Sequence, residues 1–186
     1  MMGSSVMMPL YVQNVMGRSA VTSGLVTLPG SLATALVSPF AGRVYDRMGI
    51  KRLFLAGSAA LLASNIGMCF LTLQTPLAVA AALNVVRNIS IGSLMMPLLT
   101  WGTEHVDIRK VADASSLLTS FRTIAGSIGS AVFVGIMTLV SERSAASYGS
   151  NALIHGMNVS FFWMAAGALI LLLIAAFGVG KERRRR

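Results

Sequence analysis

"AGRVYDRMGIKRLF", residues 41–54, places Arg43, Asp46, Arg47, Lys51 and Arg52 within ten residues of a chain otherwise nearly bare of charge. The 24 residues up to Gly42 (19–42) and the 34 from Leu53 onward (53–86) hold no Asp, Glu, Lys or Arg. Runs of that length suit a bilayer, because about 20 mostly apolar residues rising 1.5 Å each cross about 30 Å of hydrocarbon. The stretch therefore reads as a short polar turn between two spans, and the rest of the chain falls into place around it.

Composition agrees. Of 186 residues, 55% are hydrophobic and 11% charged, where a soluble domain carries about a quarter charged. Mean hydropathy is +0.74. Six apolar segments emerge, at roughly 1–15, 20–42, 53–73, 77–101, 113–140 and 157–180. Turn chemistry separates them: "MGRS" at 16–19, "LQTP" at 73–76, "WGTEHVDIRK" at 101–110 and "SYGSN" at 147–151. No segment alternates as the strands of a membrane barrel do. The expected fold is an all-α integral membrane protein of about six transmembrane helices. It comprises an embedded unit, 1–180, and a basic tail, 181–186. The first segment has the look of the second half of a span, and "MMGSSVMMPLYVQ" lacks the basic start of a signal peptide. The chain is thus expected to be a fragment or a truncated gene product.

The net charge of +9 does not indicate a nucleic-acid partner, since such proteins spread Lys and Arg over a solvated face. Here the basic residues sit in clusters between apolar runs. If the turn at 43–52 is cytoplasmic, eleven of the fifteen basic residues lie inside: Arg43, Arg47, Lys51, Arg52, Arg109, Lys110, Lys181 and Arg183 to Arg186. Only Arg18 and Arg143 lie outside, and Arg87 and Arg122 fall within spans. That bias follows the positive-inside rule and places the C-terminus in the cytoplasm. The tail "KERRRR" reads as an anchor to anionic lipid, worth about 1 kcal/mol per basic residue. The single cysteine, Cys69, rules out an intramolecular disulfide. A short echo, "SVMMPL" at 5–10 and "SLMMPL" at 93–98, falls in segments that run in opposite directions, the relation two inverted three-helix units produce.

The turn carries the pattern Gly42-x-Val44-x-Asp46-Arg47-x-Gly49-x-Lys51-Arg52. It resembles the helix 2–3 loop motif of the major facilitator superfamily, G-x-L-x-D-R-x-G-R-K/R, in its second-half copy. Gly42, Asp46, Arg47, Gly49 and Lys51 match, Val44 replaces a leucine and Ile50 an arginine. "PLYVQNVMGRSAVTSGLVTLPG" and "SSLLTSFRTIAGSIGSAVFVGIMT" are similar to segments of the fourteen-span drug–proton antiporter branch, the EmrB/QacA type. The resemblance implies the C-terminal six-helix half of a plasma-membrane carrier. It implies export of small amphipathic or cationic drugs, protons as coupling ion, no cofactor, and a missing N-terminal half as partner. It also implies that the loop motif latches the cytoplasmic side in one state, through Asp46 on Arg47 or a nearby helix end. A purely solvated pair, worth at most about 1 kcal/mol, is the alternative.

Within the spans, Asn84, Arg87 and Asn88 stand at i, i+3 and i+4 and form one polar stripe. A charge at mid-depth costs about 2.5–3.5 kcal/mol even on the lenient insertion scale, so Arg87 should face the bundle interior or a wet cavity. Arg122 lies nine residues past Asp113, a candidate N-cap. It can snorkel toward the cytoplasm or join the substrate path. Gly126 and Ser130, with Gly129 beside them, read as packing seams of the small-xxx-small kind. Glu104, His105 and Asp107 suit a solvated loop better than a metal site, and His155 stands alone. Neither "GVGK" at 178–181 nor the N-x-S triplets at Asn88 and Asn158 carries its usual meaning within or at the edge of a span. No H-E-x-x-H and no G-x-S-x-G occurs, so no enzymatic activity is expected. Besides drug export, the sequence allows an exporter of an amino acid or other metabolite, and a non-transporting membrane protein.

Overall fold

The computed structural model describes residues 2–104 and 106–178, which are helical except at short turns. Helix α1 covers Met2–Leu10 and continues as a wider π-helical turn over Tyr11–Val15. Four long helices follow: α2 (Ala20–Met48), α3 (Ile50–Cys69), α4 (Leu77–Thr103) and α5 (Val111–Tyr148). Helix α6 covers Ala152–Leu173 and ends in a π-helical turn over Ile174–Gly178. No strand occurs among the described residues. Five helices are long and apolar enough to cross a membrane, and α1 is the short sixth. The chain is a multi-pass membrane protein.

Helix ends follow local chemistry rather than the edges of hydropathy. Ser19 caps α2, its Oγ accepting from the Thr22 amide at 3.3 Å. The helix then runs through the charged turn to Met48, six residues beyond the apolar segment, and stops only at Gly49. There φ is +77° and ψ 162°, an essentially glycine-only region that costs a residue with a side chain roughly 1–3 kcal/mol. Asp113 is not the cap of α5: the helix begins at Val111, and it is Asp107 Oδ1 that accepts from the Arg109 amide at 3.1 Å in the preceding 3-10 turn. At its other end α5 passes residue 140 and reaches Tyr148. Ser, Glu, Arg and Ala at 141–146 leave the membrane but continue a helix readily, until Gly149 (φ +51°) breaks it. At 38 residues, α5 is about 57 Å long, well beyond the hydrocarbon.

Helix α4 packs between α2 and α3, α6 packs on α3 and α5, and α1 lies on α5. Lipid gives helices no hydrophobic reason to associate, so close backbone approach and hydrogen bonding do the work. On the α2 side, a Cβ on Gly92 would meet the backbone of Thr34 at 3.2 Å, and a Cβ on Gly30 would meet Asn88 Nδ2 at 2.6 Å. On the α3 side Gly57 abuts Leu94, Gly67 abuts Leu83, and Ser64 Oγ donates to Leu83 O at 2.7 Å. A methionine-rich core (Met7, Met8, Met68, Met137, Met157 and Met164 around Tyr11 and Phe161) fills one end of the bundle. Ile50, Phe54, Leu94 and Ala175 fill the other.

Candidate functional site

Thr34, Asn84, Arg87 and Asn88 meet where α2, α3 and α4 pack. Arg87 is 2% exposed and Asn84 2%. One guanidinium nitrogen of Arg87 donates to Asn84 Oδ1 at 2.8 Å and another reaches Met68 Sδ on α3 at 3.2 Å. Asn88 Nδ2 donates to Asn84 O at 2.8 Å and to Asn84 Oδ1 at 3.1 Å. Thr34 Oγ1 reaches Asn88 O at 3.1 Å and Asn88 Oδ1 at 3.4 Å. The stripe read from i, i+3, i+4 spacing is therefore one hydrogen-bonded network, turned away from lipid. Thr34 and Met68 were not visible in the spacing of α4, since they come from the two helices that flank it.

Arg122 is placed differently. It is exposed on α5, on another side of the helix from a row of hydroxyl side chains. Ser116, Thr123, Ser127 and Ser130 donate to Asp113 O (2.8 Å), Thr119 O (2.9 Å), Thr123 O (3.0 Å) and Gly126 O (2.9 Å). A Cβ on Gly129 would meet nothing within 4 Å, so the seam read at Gly126, Gly129 and Ser130 is open at Gly129. The close approach of α5 to α6 lies instead at Gly156, where a Cβ would run into the Met137 carbonyl oxygen and lie 3.1 Å from the Ser141 amide nitrogen.

In the charged turn, Arg47 is exposed and Lys51 half-buried. A Cβ on Gly42 would meet nothing within 4 Å. Arg43 lies 5.4 Å from the centroid of the Phe40 ring, within cation–π range. The side chain of Asp46, His105 and the tail 181–186 lie outside the described residues. One partner of the turn escaped the sequence reading: Tyr45 donates to Glu104 Oε2 at 3.3 Å. The alternation of spans held the clue, because α2 and α4 run the same way and their last turns must meet at one end of the bundle. Asp107 and Glu104 thus serve a helix start and an interhelical tether. No cluster of three metal-ligating side chains occurs among the described residues. His155 is stacked on Tyr148, centroids 4.4 Å apart and planes within 8°.

The turn gives a direct test of its backbone. Gly49→Ala should lower stability by about 1–3 kcal/mol because of the positive φ with extended ψ, whereas Gly42→Ala, in open space within a helix, should not destabilise. Thermal unfolding in detergent separates the two, and equal melting would show that the turn does not depend on Gly49.

Residues 1–130 match the family model of the Major Facilitator Superfamily. The MFS-type transporter YcnB of Bacillus subtilis is 31% identical over 184 residues, covering 99% of this chain and 39% of the relative. The lincomycin resistance protein LmrB of Listeria monocytogenes is 29% identical over 74% of this chain and 29% of its own length. The riboflavin transporter RibZ of Clostridioides difficile is 24% identical over 97% of this chain and 40% of its own. The chain belongs to the major facilitator superfamily, a family of membrane transport proteins and not of enzymes. It spans 29–40% of the length of these three relatives.

Proposed function

We propose that this chain forms the C-terminal half of a secondary active transporter of the fourteen-span drug–proton antiporter branch, exporting small amphipathic or cationic drugs from the cell by alternating access. The observation that carries this reading is the polar face of α5. It holds a row of hydroxyls, Ser116, Ser120, Thr123 and Ser127, within the membrane-spanning part, and an adjoining half-carrier across a wet cavity would complete it. The relatives support drug export: one is named for lincomycin resistance and another is a multidrug resistance protein B homolog. RibZ, named for riboflavin transport, favours metabolite export as the second reading.

The positive-inside bias orients the turn at 43–52 and the C-terminus toward the cytoplasm, in the plasma membrane. The apolar stretches 20–42, 53–73, 77–101 and 157–180 contain no Asp or Glu, and 113–140 holds only Asp113, at its first position. A proton-coupled cycle therefore takes its titrating carboxylate from the partner half. Gly42, Asp46, Arg47, Gly49 and Lys51 form the cytoplasmic gate, supported by the obligate glycine conformation at Gly49 and by the Tyr45–Glu104 tether. Asn84, Arg87 and Asn88 hold the pathway helices in register, and Arg122 faces the pathway.

The test is efflux in a pump-deficient host, with lincomycin and riboflavin as probes. The carrier that joins this chain to its upstream helices should lower accumulation of at least one probe, and a protonophore should abolish the effect. Residues 1–186 alone should insert yet leave accumulation at the host level. Efflux by the isolated chain at the joined carrier's rate refutes the half-carrier reading, and efflux indifferent to the protonophore refutes the coupling.

A further inference from the structure

Helices α2 and α4 run parallel and in step. Gly30 on α2 abuts the side chains of Asn84 and Asn88 on α4, and Thr34 abuts Gly92. Farther along, the Tyr45 hydroxyl donates to Glu104 Oε2 at 3.3 Å. Pro39 and Pro97 each stand five residues past the Thr34–Gly92 approach, about 7.5 Å along either axis. The two prolines are therefore level with each other.

Proline has no amide hydrogen, so each one removes a rung from its helix. Ala35 O on α2 and Ser93 O on α4 lose the amide four residues on. Serine hydroxyls compete with the ladder beside both gaps: Ser38 Oγ donates to Thr34 O and Ser93 Oγ to Ser90 O, each at 2.8 Å. Bonds of this kind weaken and bend a helix. Both helices still run unbroken, to Met48 and Thr103. Each thus carries a weak joint, and the joints share one level.

The two sides of the joints differ. Before them α2 and α4 are locked, since a Cβ on Gly92 would meet three Thr34 atoms at 3.2 Å, two of them backbone. Beyond them, residues 40–48 and 98–103 form two short tips joined by the Tyr45–Glu104 bond. The tips rest through Tyr45 and Leu98 on Ile50, Phe54, Leu94 and Ala175. A Cβ on Gly102 would lie 3.1 Å from the end of the Leu118 side chain on α5. Two helices tied at their tips bend as one body, without shearing the tie, when both yield at the same level. Pro29, the other proline of α2, has no proline opposite it on α4, and the Gly30 contact braces it.

We infer that Pro39 and Pro97 form one paired hinge, about which the tied tips of α2 and α4 swing as a single flap away from α3 and α5. The flap lies at the end of the bundle that carries the charged turn. Its role, opening and closing that end during the cycle, rests on the transport reading above.

The test is pulsed electron–electron distance measurement on the joined carrier in nanodiscs, with Cys69→Ser and no other native cysteine. Spin labels go on Arg43→Cys in the α2 tip, Trp101→Cys in the α4 tip and Phe121→Cys on α5, taken in pairs; all three positions are exposed. Distances are recorded with and without lincomycin or riboflavin. The 43–121 and 101–121 distances should each show two populations about 3 Å or more apart, because a kink of about 30° moves a point about 6 Å past the joint by that much. The 43–101 distance should show one. Pro39→Ala and Pro97→Ala each restore a rung in one helix alone, yet either should reduce both tip-to-α5 distances to one population and slow export severalfold. Pro29→Ala should leave distances and export as in the wild type, and Tyr45→Phe should broaden the 43–101 distance. One population for both tip-to-α5 distances in the wild type under all conditions overturns the hinge. Pro97→Ala that narrows only the 101–121 distance, or an unchanged 43–101 distance in Tyr45→Phe, overturns the single tied flap. Export at the wild-type rate by both Pro39→Ala and Pro97→Ala overturns its role in the cycle. Two populations that the proline variants abolish, in a carrier that exports neither probe, uphold the hinge and overturn the transport reading beneath it.

Discussion

Gly156→Val should separate α6 from α5 and deplete the protein from the membrane. The new side chain would begin against the Met137 carbonyl oxygen and the Ser141 amide nitrogen, and both are backbone atoms inside a helix, so neither can swing aside as a flexible side-chain tip does. The helices must move apart to admit it. That breaks the neighbouring bond from Ser160 Oγ to Phe133 O, 3.0 Å in the wild type. In water, apolar burial would offset part of this. In lipid the separated helices lose little apolar burial, and close packing is most of what holds them. We expect a loss of about 3 kcal/mol or more, the upper range for overpacking a tight contact. Gly167, on the same helix with nothing within 4 Å of its Cβ position, is the control, and Gly167→Val should be tolerated. Abundance in the membrane and thermal unfolding in detergent report both. Wild-type melting of Gly156→Val would show that the α5–α6 seam does not depend on that approach.

Arg87→Ala should carry the largest effect on transport. The wild-type side chain is 2% exposed and ties Met68 on α3 to Asn84 on α4. Truncation leaves a cavity between two helices, and large-to-small changes at buried sites typically cost about 2–5 kcal/mol. It also frees Asn84 from its strongest partner, loosening the contact through Asn88 to Thr34. Insertion should survive, because each span keeps its apolar length. Transport should fall below about a tenth of wild type, as a register error near the pathway requires. Arg87→Lys should be intermediate, since an ammonium keeps the charge but cannot reach two partners in one plane. Arg87→Leu separates the contributions, filling the space without the charge. If Arg87→Leu transports normally and Arg87→Ala does not, packing alone explains the residue. Normal transport by all three variants would make Arg87 a bystander.

The charged turn shows how far a linear reading carries. Its composition marked a break between two spans, and its spacing of glycines and charges matched one family. Both are local properties, written in consecutive residues. Helix ends were less legible: hydropathy tells where the chain leaves the hydrocarbon, and helices such as α2 and α5 continue into water until a glycine at positive φ stops them. The partner of Tyr45 was less legible still, because Glu104 stands 59 residues away and the contact depends on two parallel helices ending at one level.

The two intramembrane arginines draw the line most sharply. Their presence in apolar segments was evident from the sequence, and the cost of a charge in lipid meant that Arg87 could not face the bilayer, while Arg122 could still snorkel toward the cytoplasm. Their environments were not evident, because a helix displays a given residue type on any side equally well, and only its neighbours decide what covers that side. Packing put Arg87 between Met68 and Asn84 and left Arg122 exposed on α5. The sequence by itself determined an all-helical membrane protein of this superfamily, since uncharged runs of span length and a loop motif are one-dimensional facts. The tertiary structure alone decided which arginine ties helices together and which stays exposed, because that depends on how the helices pack against one another.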